Sequence, residues 1–174
     1  RLTPRRDHLA VHNLRSCSPE LKAVIDAHAA RLDGWGVARA ALEQAVEAAT
    51  IVASLTEDSL LAAALLAQPA LDAAPDETAE IEQHFGPAVI TLARELRHFG
   101  DIRLTPMAAA SRELEPAQAE ALRKMLLSVV SDPRLVLARL ARQLVELTAA
   151  KDGHAATRER LALETREVFA PLAN

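Results

Sequence analysis

An all-α domain of seven or eight helices is the fold class this sequence predicts, and three observations carry the prediction. About a fifth of the 174 residues are alanine, with leucine next, and aromatic residues make up only 2%. A β-sandwich or barrel would draw on β-branched and aromatic side chains instead. Apolar residues recur at steps of three and four, and nowhere do they alternate as in a half-buried strand. Serine, aspartate, glycine and proline stand where helices start and stop. Half of the residues are hydrophobic and 25% are charged, which excludes intrinsic disorder. A chain of this length forms one domain with a true core.

Residues 1–18 read as a solvated leader carrying Arg1, Arg5, Arg6 and Arg15. The domain follows, over 19–174. Ser18-Pro19-Glu20 places a capping hydroxyl before a proline at the first helical position, so a helix starts there. It runs to about Leu32, where Gly34 and Gly36 stop it. A second helix is expected over 37–55, with Leu42, Val46, Ala49 and Ala53 on one face. Thr56 is expected to cap the third helix. Its stretch L-L-A-A-A-L-L over 60–66 is apolar nearly all round, the mark of a buried central helix. Pro69 and Pro75 are expected to bracket the loop after it.

A short helix is expected over 77–84, ended by Gly86, and Pro87 starts another that ends near Gly100. Residues 100–115 read as a loop. Pro116 opens a helix burying Leu122, Met125, Leu126 and Val129. Asp132-Pro133 is a cap followed by a first-turn proline, and the helix behind it is expected to bury Leu137, Leu140, Leu144 and Leu147. Lys151-Asp152-Gly153 closes that helix. A last one is expected over 155–170, ahead of Pro171.

Composition also narrows function. A single cysteine, Cys17, excludes a disulfide framework and fits a reducing, cytoplasmic setting. The longest uncharged run, over 59–71, is too short to span a membrane. No signal peptide is visible, although the chain opens on Arg1 rather than methionine. A net charge of −4 without clustered Lys and Arg argues against nucleic-acid binding. No glycine-rich phosphate loop occurs. Six histidines invite a metal search. His8 and His12 have i, i+4 spacing, but no Cys or carboxylate is spaced to complete a site. His84 and His98 lie near helix ends, where a cationic ring meets the negative pole of the helix dipole.

Three segments resemble the N-terminal hydrolase domain of the RelA/SpoT family, the bacterial enzymes that make and degrade (p)ppGpp. The first is A-A-A-L-L-A-Q over 62–68, then Asp72, then E-Q-H-F-G-P-A-V over 82–89. The family pattern there is A-A-L-L-H-D, then E-D, then E-x-x-F-G-x-x-V. The second is L-R-K-M-L-L-S-V-V-S-D-P-R over 122–134, continuing to Arg139-Leu140-Ala141, where the family has K-L-A-D-R-x-H-N. The third, E-T-R-E-V-F-A-P-L-A-N over 164–174, resembles the hinge into the synthetase domain. The resemblance covers roughly residues 37–174 in order and spacing, and it implies an HD-domain-like helical bundle.

Active members of that superfamily hold a divalent metal with His, His-Asp and a distant Asp, and an E-D pair assists. A hard divalent ion needs imidazole and carboxylate to hold it and to ionise its water near neutral pH. Here the His-Asp position is Ala67-Gln68 and the distant Asp is Arg142. The first His falls near Gln44. Of the E-D pair, Leu71 replaces the acid and Asp72 remains. Val145-Glu146 stands at the H-N signature. A guanidinium at the metal position would repel a divalent ion by several kcal/mol, even at an effective dielectric near 20.

The resemblance therefore implies a catalytically inactive hydrolase-like domain of a RelA-type GTP pyrophosphokinase, without metal or cofactor. It would scaffold and regulate an adjacent synthetase domain in the stringent response, and the chain stops at Asn174, where that domain would begin. Two rival readings stay open. One is an active metal-dependent (p)ppGpp 3′-pyrophosphohydrolase. The other is a vestigial pocket that binds a guanine nucleotide through Lys124, Arg139 and Arg142, with Asp72 nearby.

Overall fold

The computed structural model describes residues 17–101, 132–150 and 155–166. Seven α-helices lie within them: α1 (Pro19–Leu32), α2 (Arg39–Thr56), α3 (Ser59–Ala73), α4 (Thr78–Phe85), α5 (Pro87–Asp101), α6 (Pro133–Ala149) and α7 (Ala155–Glu164). Two 3₁₀ turns, Asp33–Trp35 and Pro75–Glu77, join them, and no strand occurs among the described residues. The expected loop at 100–115, the helix after Pro116, the closure at Lys151-Asp152-Gly153 and the leader lie outside the described residues, apart from Cys17, Ser18, Gly100 and Asp101. No helix among the described residues is long and apolar enough to cross a membrane.

The helix starts follow from local chemistry. The Ser18 hydroxyl accepts a hydrogen bond from the Leu21 amide at 3.3 Å, and Pro19 supplies the first-turn φ. The Asp132 carboxylate accepts from the Arg134 amide at 2.9 Å and caps α6 in the same way. Gly36 (φ 70°) and Gly86 (φ 87°) take backbone conformations that a side chain disfavours, so each turns the chain between helices.

Three expectations are corrected. Asp58, not Thr56, caps α3: its carboxylate accepts from the Leu61 amide at 3.0 Å. Thr56 is the last residue of α2, and Glu57 makes the break at φ 54°. The break carries no glycine, so it left no obvious signal in the sequence. The second correction concerns Pro69, which lies inside α3; the helix continues to Ala73. A proline forfeits one backbone hydrogen bond, and burial of nearly the whole helix outweighs that loss. The third concerns α6, whose buried residues are Leu135, Ala138, Ala141, Gln143 and Val145. Leu137 and Leu140 only edge the core, Leu147 is half-buried and Leu144 is 42% exposed. Small residues on the inner stripe let α6 approach α2 closely.

Helix α3 is the axis of the bundle. Leu61 through Gln68, Ala70 and Leu71 are all buried in it. It packs against α1, α2, α4, α5 and α6, while α6 also packs on α2, α5 and α7. Alanines on α2 (Ala48, Ala49, Ala53) and α3 (Ala62, Ala63, Ala64, Ala67) keep these helices close. One end of the α2, α3 and α6 junction opens into a cleft.

Candidate functional site, a cleft between three helices

The cleft has a volume of about 370 Å³. Gln44 enters it from α2, Gln68 and Asp72 from α3, and Arg142 and Glu146 from α6. Gln68 and Asp72 are one turn apart, as are Arg142 and Glu146, so each helix presents two polar groups on one face. Gly36, Val37 and Ala38, in the turn before α2, contribute a further part of the wall.

Gln68 is only 5% exposed, and both ends of its amide are engaged. Its Nε2 donates to the Ala93 carbonyl of α5 at 3.4 Å. Its Oε1 accepts from Arg142 Nη1 at 2.5 Å. The Arg142 side chain keeps a solvent-facing side. Even so, its guanidinium is crowded enough by protein atoms that desolvation lowers its pKa. The Glu146 carboxylate opposes that shift, Arg139 adds to it and Asp72 opposes it. Arginine nonetheless stays a cation in proteins. Asp72 is exposed and forms an ion pair with Arg97 of α5 at 2.7 Å.

The sequence-predicted positions are thus partly united. Gln44, Gln68, Asp72 and Arg142 line one cleft. Ala67 and Leu71 are buried in the core instead. Arg139 is half-buried on α6 and is not among the lining residues, and Lys124 lies outside the described residues. Glu146, noted in the sequence only as a departure from H-N, proves to be a second carboxylate on the cleft.

A divalent metal of the kind active members of the superfamily hold does not fit these residues. Two neutral amides, a guanidinium and two carboxylates offer no imidazole, and the guanidinium's charge opposes the ion. Among the described residues, no three His, Cys, Asp or Glu side chains are grouped to hold a metal. His8 and His12 fall outside the described residues. Cys17 is half-buried against the core, and His98 is exposed on α5.

One polar cluster escaped the sequence reading. His28 Nδ1 lies 3.0 Å from His84 Nε2, joining α1 to α4. His28 stacks on Phe85 with ring centroids 4.6 Å apart, and Trp35 meets His84 edge-on. The signal was present: Leu21, Ile25, His28 and Leu32 recur at steps of four and three along the inner stripe of α1. Desolvation lowers the pKa of both histidines.

The family model for the HD domain matches residues 22–174. This chain is an HD domain of the RelA/SpoT family. It is 29% identical over 129 residues to the bifunctional (p)ppGpp synthase/hydrolase SpoT of Escherichia coli K12, covering 74% of this chain and 17% of SpoT. It is 30% identical over 133 residues to the GTP pyrophosphokinase of the same organism, covering 76% of this chain and 18% of that protein. A GTP pyrophosphokinase of Photobacterium angustum is 28% identical over 124 residues, covering 71% of this chain and 16% of its own length. The chain therefore matches less than a fifth of the length of these curated relatives.

Proposed function

We propose that this HD domain is a pseudo-hydrolase: a catalytically inactive (p)ppGpp-hydrolase-like domain that scaffolds and regulates a synthetase domain in a RelA-type GTP pyrophosphokinase. The observation that carries this reading is the Arg142–Gln68 hydrogen bond. The resemblance sets these two residues against the family's metal-binding carboxylates, and here a cation and a neutral amide satisfy each other. A hydrolytic water would need a metal to ionise it near neutral pH, and the cleft residues give a divalent ion no adequate seat. Similarity to proteins named as GTP pyrophosphokinases supports a place beside a synthetase, and so does the small share of their length that is matched.

The nucleotide-binding alternative is weakened by the same cleft. Asp72 and Glu146 bring carboxylates to the surface that a polyphosphate would have to approach. Regulation would instead operate through packing of this domain on its neighbour, shifting the synthetase between two conformations.

A direct test dialyses the purified chain, measures its metal content and assays ppGpp hydrolysis with added manganese. The expected result is no stoichiometric metal and no pyrophosphate release. Turnover that depends on bound manganese would overturn the proposal. In the parent protein, deletion of this domain is expected to alter the synthesis rate or its control, and unchanged synthesis with unchanged control would remove the regulatory part.

A further inference from the structure

In a metal-dependent helical site the ion does two jobs. It activates a ligand, and it cross-links the helices that supply its ligands, so that metal binding is also folding energy. We infer that Arg142 has taken over the second job: its guanidinium is a built-in cation that ties α6 to α3 and, through Gln68, to α5. The geometry is a relay of two hydrogen bonds. Arg142 Nη1 donates to Gln68 Oε1, and Gln68 Nε2 donates to the Ala93 carbonyl. The linked residues are 74 and 25 positions apart in the chain, so the relay spans three separate helices.

Two features make this more than an incidental contact. Gln68 is nearly excluded from solvent. If Arg142 is removed, this amide loses a hydrogen bond to a charged donor, which is worth more than a neutral one. Helix α3 also approaches α6 less extensively than it approaches α2 or α5. A side-chain tie therefore matters more at this junction than along the apolar seams. Charge agrees as well: the Glu146 and Asp72 carboxylates on the same cleft both favour the guanidinium cation.

The description of Arg142 as a substitute rests on reading the cleft as a former metal site, whereas the tie itself rests on the geometry. Thermal unfolding of the 174-residue chain, with EDTA and with manganese chloride, tests it. Wild type is expected to melt at one temperature in either condition. R142A is expected to melt about 3–6 °C lower, the shift for one to two kcal/mol in a domain of this size. R142K keeps the charge but loses the planar fork, so it falls between them; it decides the matter if R142A does not fold. R142D leaves three carboxylates on the cleft and is expected to regain stability when manganese is added. R142A or R142K melting with wild type overturns the tie while leaving hydrolysis untouched. A wild-type melt lowered by EDTA overturns the substitution, and EDTA-sensitive hydrolysis beside it would instead sink the inactivity reading.

Discussion

His28 and His84 show how much a pair of residues can do at a helix junction. Each ring is partly buried, and the two share one hydrogen bond, which requires at least one neutral nitrogen to accept it. Arg31 of α1 sits beside them, paired with Glu80 of α4 and lying over the Trp35 ring, and its charge further disfavours protonation of His84. Helix α3, which packs on both α1 and α4, carries a single ionisable residue, Asp72, and that is paired with Arg97. Both histidine pKa values are lowered in the folded state, so the unfolded chain binds more protons at mildly acidic pH. Stability is then full above the unfolded value near 6.5 and is lost as pH falls below it. Urea unfolding between pH 8 and pH 5 is expected to show a loss on the order of 1 kcal/mol, the net worth of one such hydrogen bond. H28Q should be less stable at pH 8 and should flatten the pH dependence. A wild-type curve that does not change between pH 8 and pH 5 would refute the assignment.

At the scale of the element, what could be read in the sequence depended on whether a stop signal was chemical or conformational. Ser18-Pro19, Gly36, Gly86-Pro87 and Asp132-Pro133 announce their turns through caps and special φ values, and the helices begin and end beside them. The α2–α3 break could not be read that way, because Glu57 adopts a left-handed conformation without being glycine. The sequence placed the cap at Thr56, two residues before Asp58. The structure separates their roles: the Thr56 hydroxyl accepts from the Asp58 amide at 3.2 Å, while the Asp58 carboxylate caps α3. Asp58 also lies 3.6 Å from Arg134 at the start of α6, a contact across two helix ends. D58A is expected to cost about 1 kcal/mol, the usual value of a lost cap. That corresponds to a melting temperature lower by about 2–4 °C. T56A is expected to cost clearly less, since it removes no capping bond of α3. Scanning calorimetry of the two variants side by side checks the order, and a reversed order would restore Thr56 as the cap. The inner face of α6 was misread for a different reason. Its leucines and its alanine-rich stripe both recur at helical spacing, and only tertiary packing chooses between them.

Across the whole molecule, the core and the cleft occupy different layers of α3. The core layer, Ala62, Ala63, Ala64, Leu66 and Ala67, is sealed, and the polar layer, Gln68 and Asp72, faces the cleft. The family resemblance could be read from sequence because its segments are short runs of neighbouring residues, such as A-A-A-L-L-A-Q over 62–68. What the sequence could not show is that Ala67, set against a metal-binding histidine, now belongs to the core, where it is fully buried. Placing a histidine at position 67 alone is therefore a test of whether the cleft can hold a metal. A67H inserts a ring into packing that has closed around a methyl group. Overpacking costs about 1–3 kcal/mol, and an unsatisfied buried polar atom costs about 1–3 kcal/mol more. The melting temperature is expected to fall by about 5 °C or more. No stoichiometric manganese should bind, because Gln68 and Arg142 still hold each other. The triple variant A67H/Q68D/R142D changes the balance, since it removes the cation and supplies imidazole with two carboxylates. Added manganese should raise its melting temperature and leave that of A67H unchanged. Tight manganese binding by A67H alone would mean that the ligand shell is still assembled around the cleft and that only one residue separates this domain from a metal site.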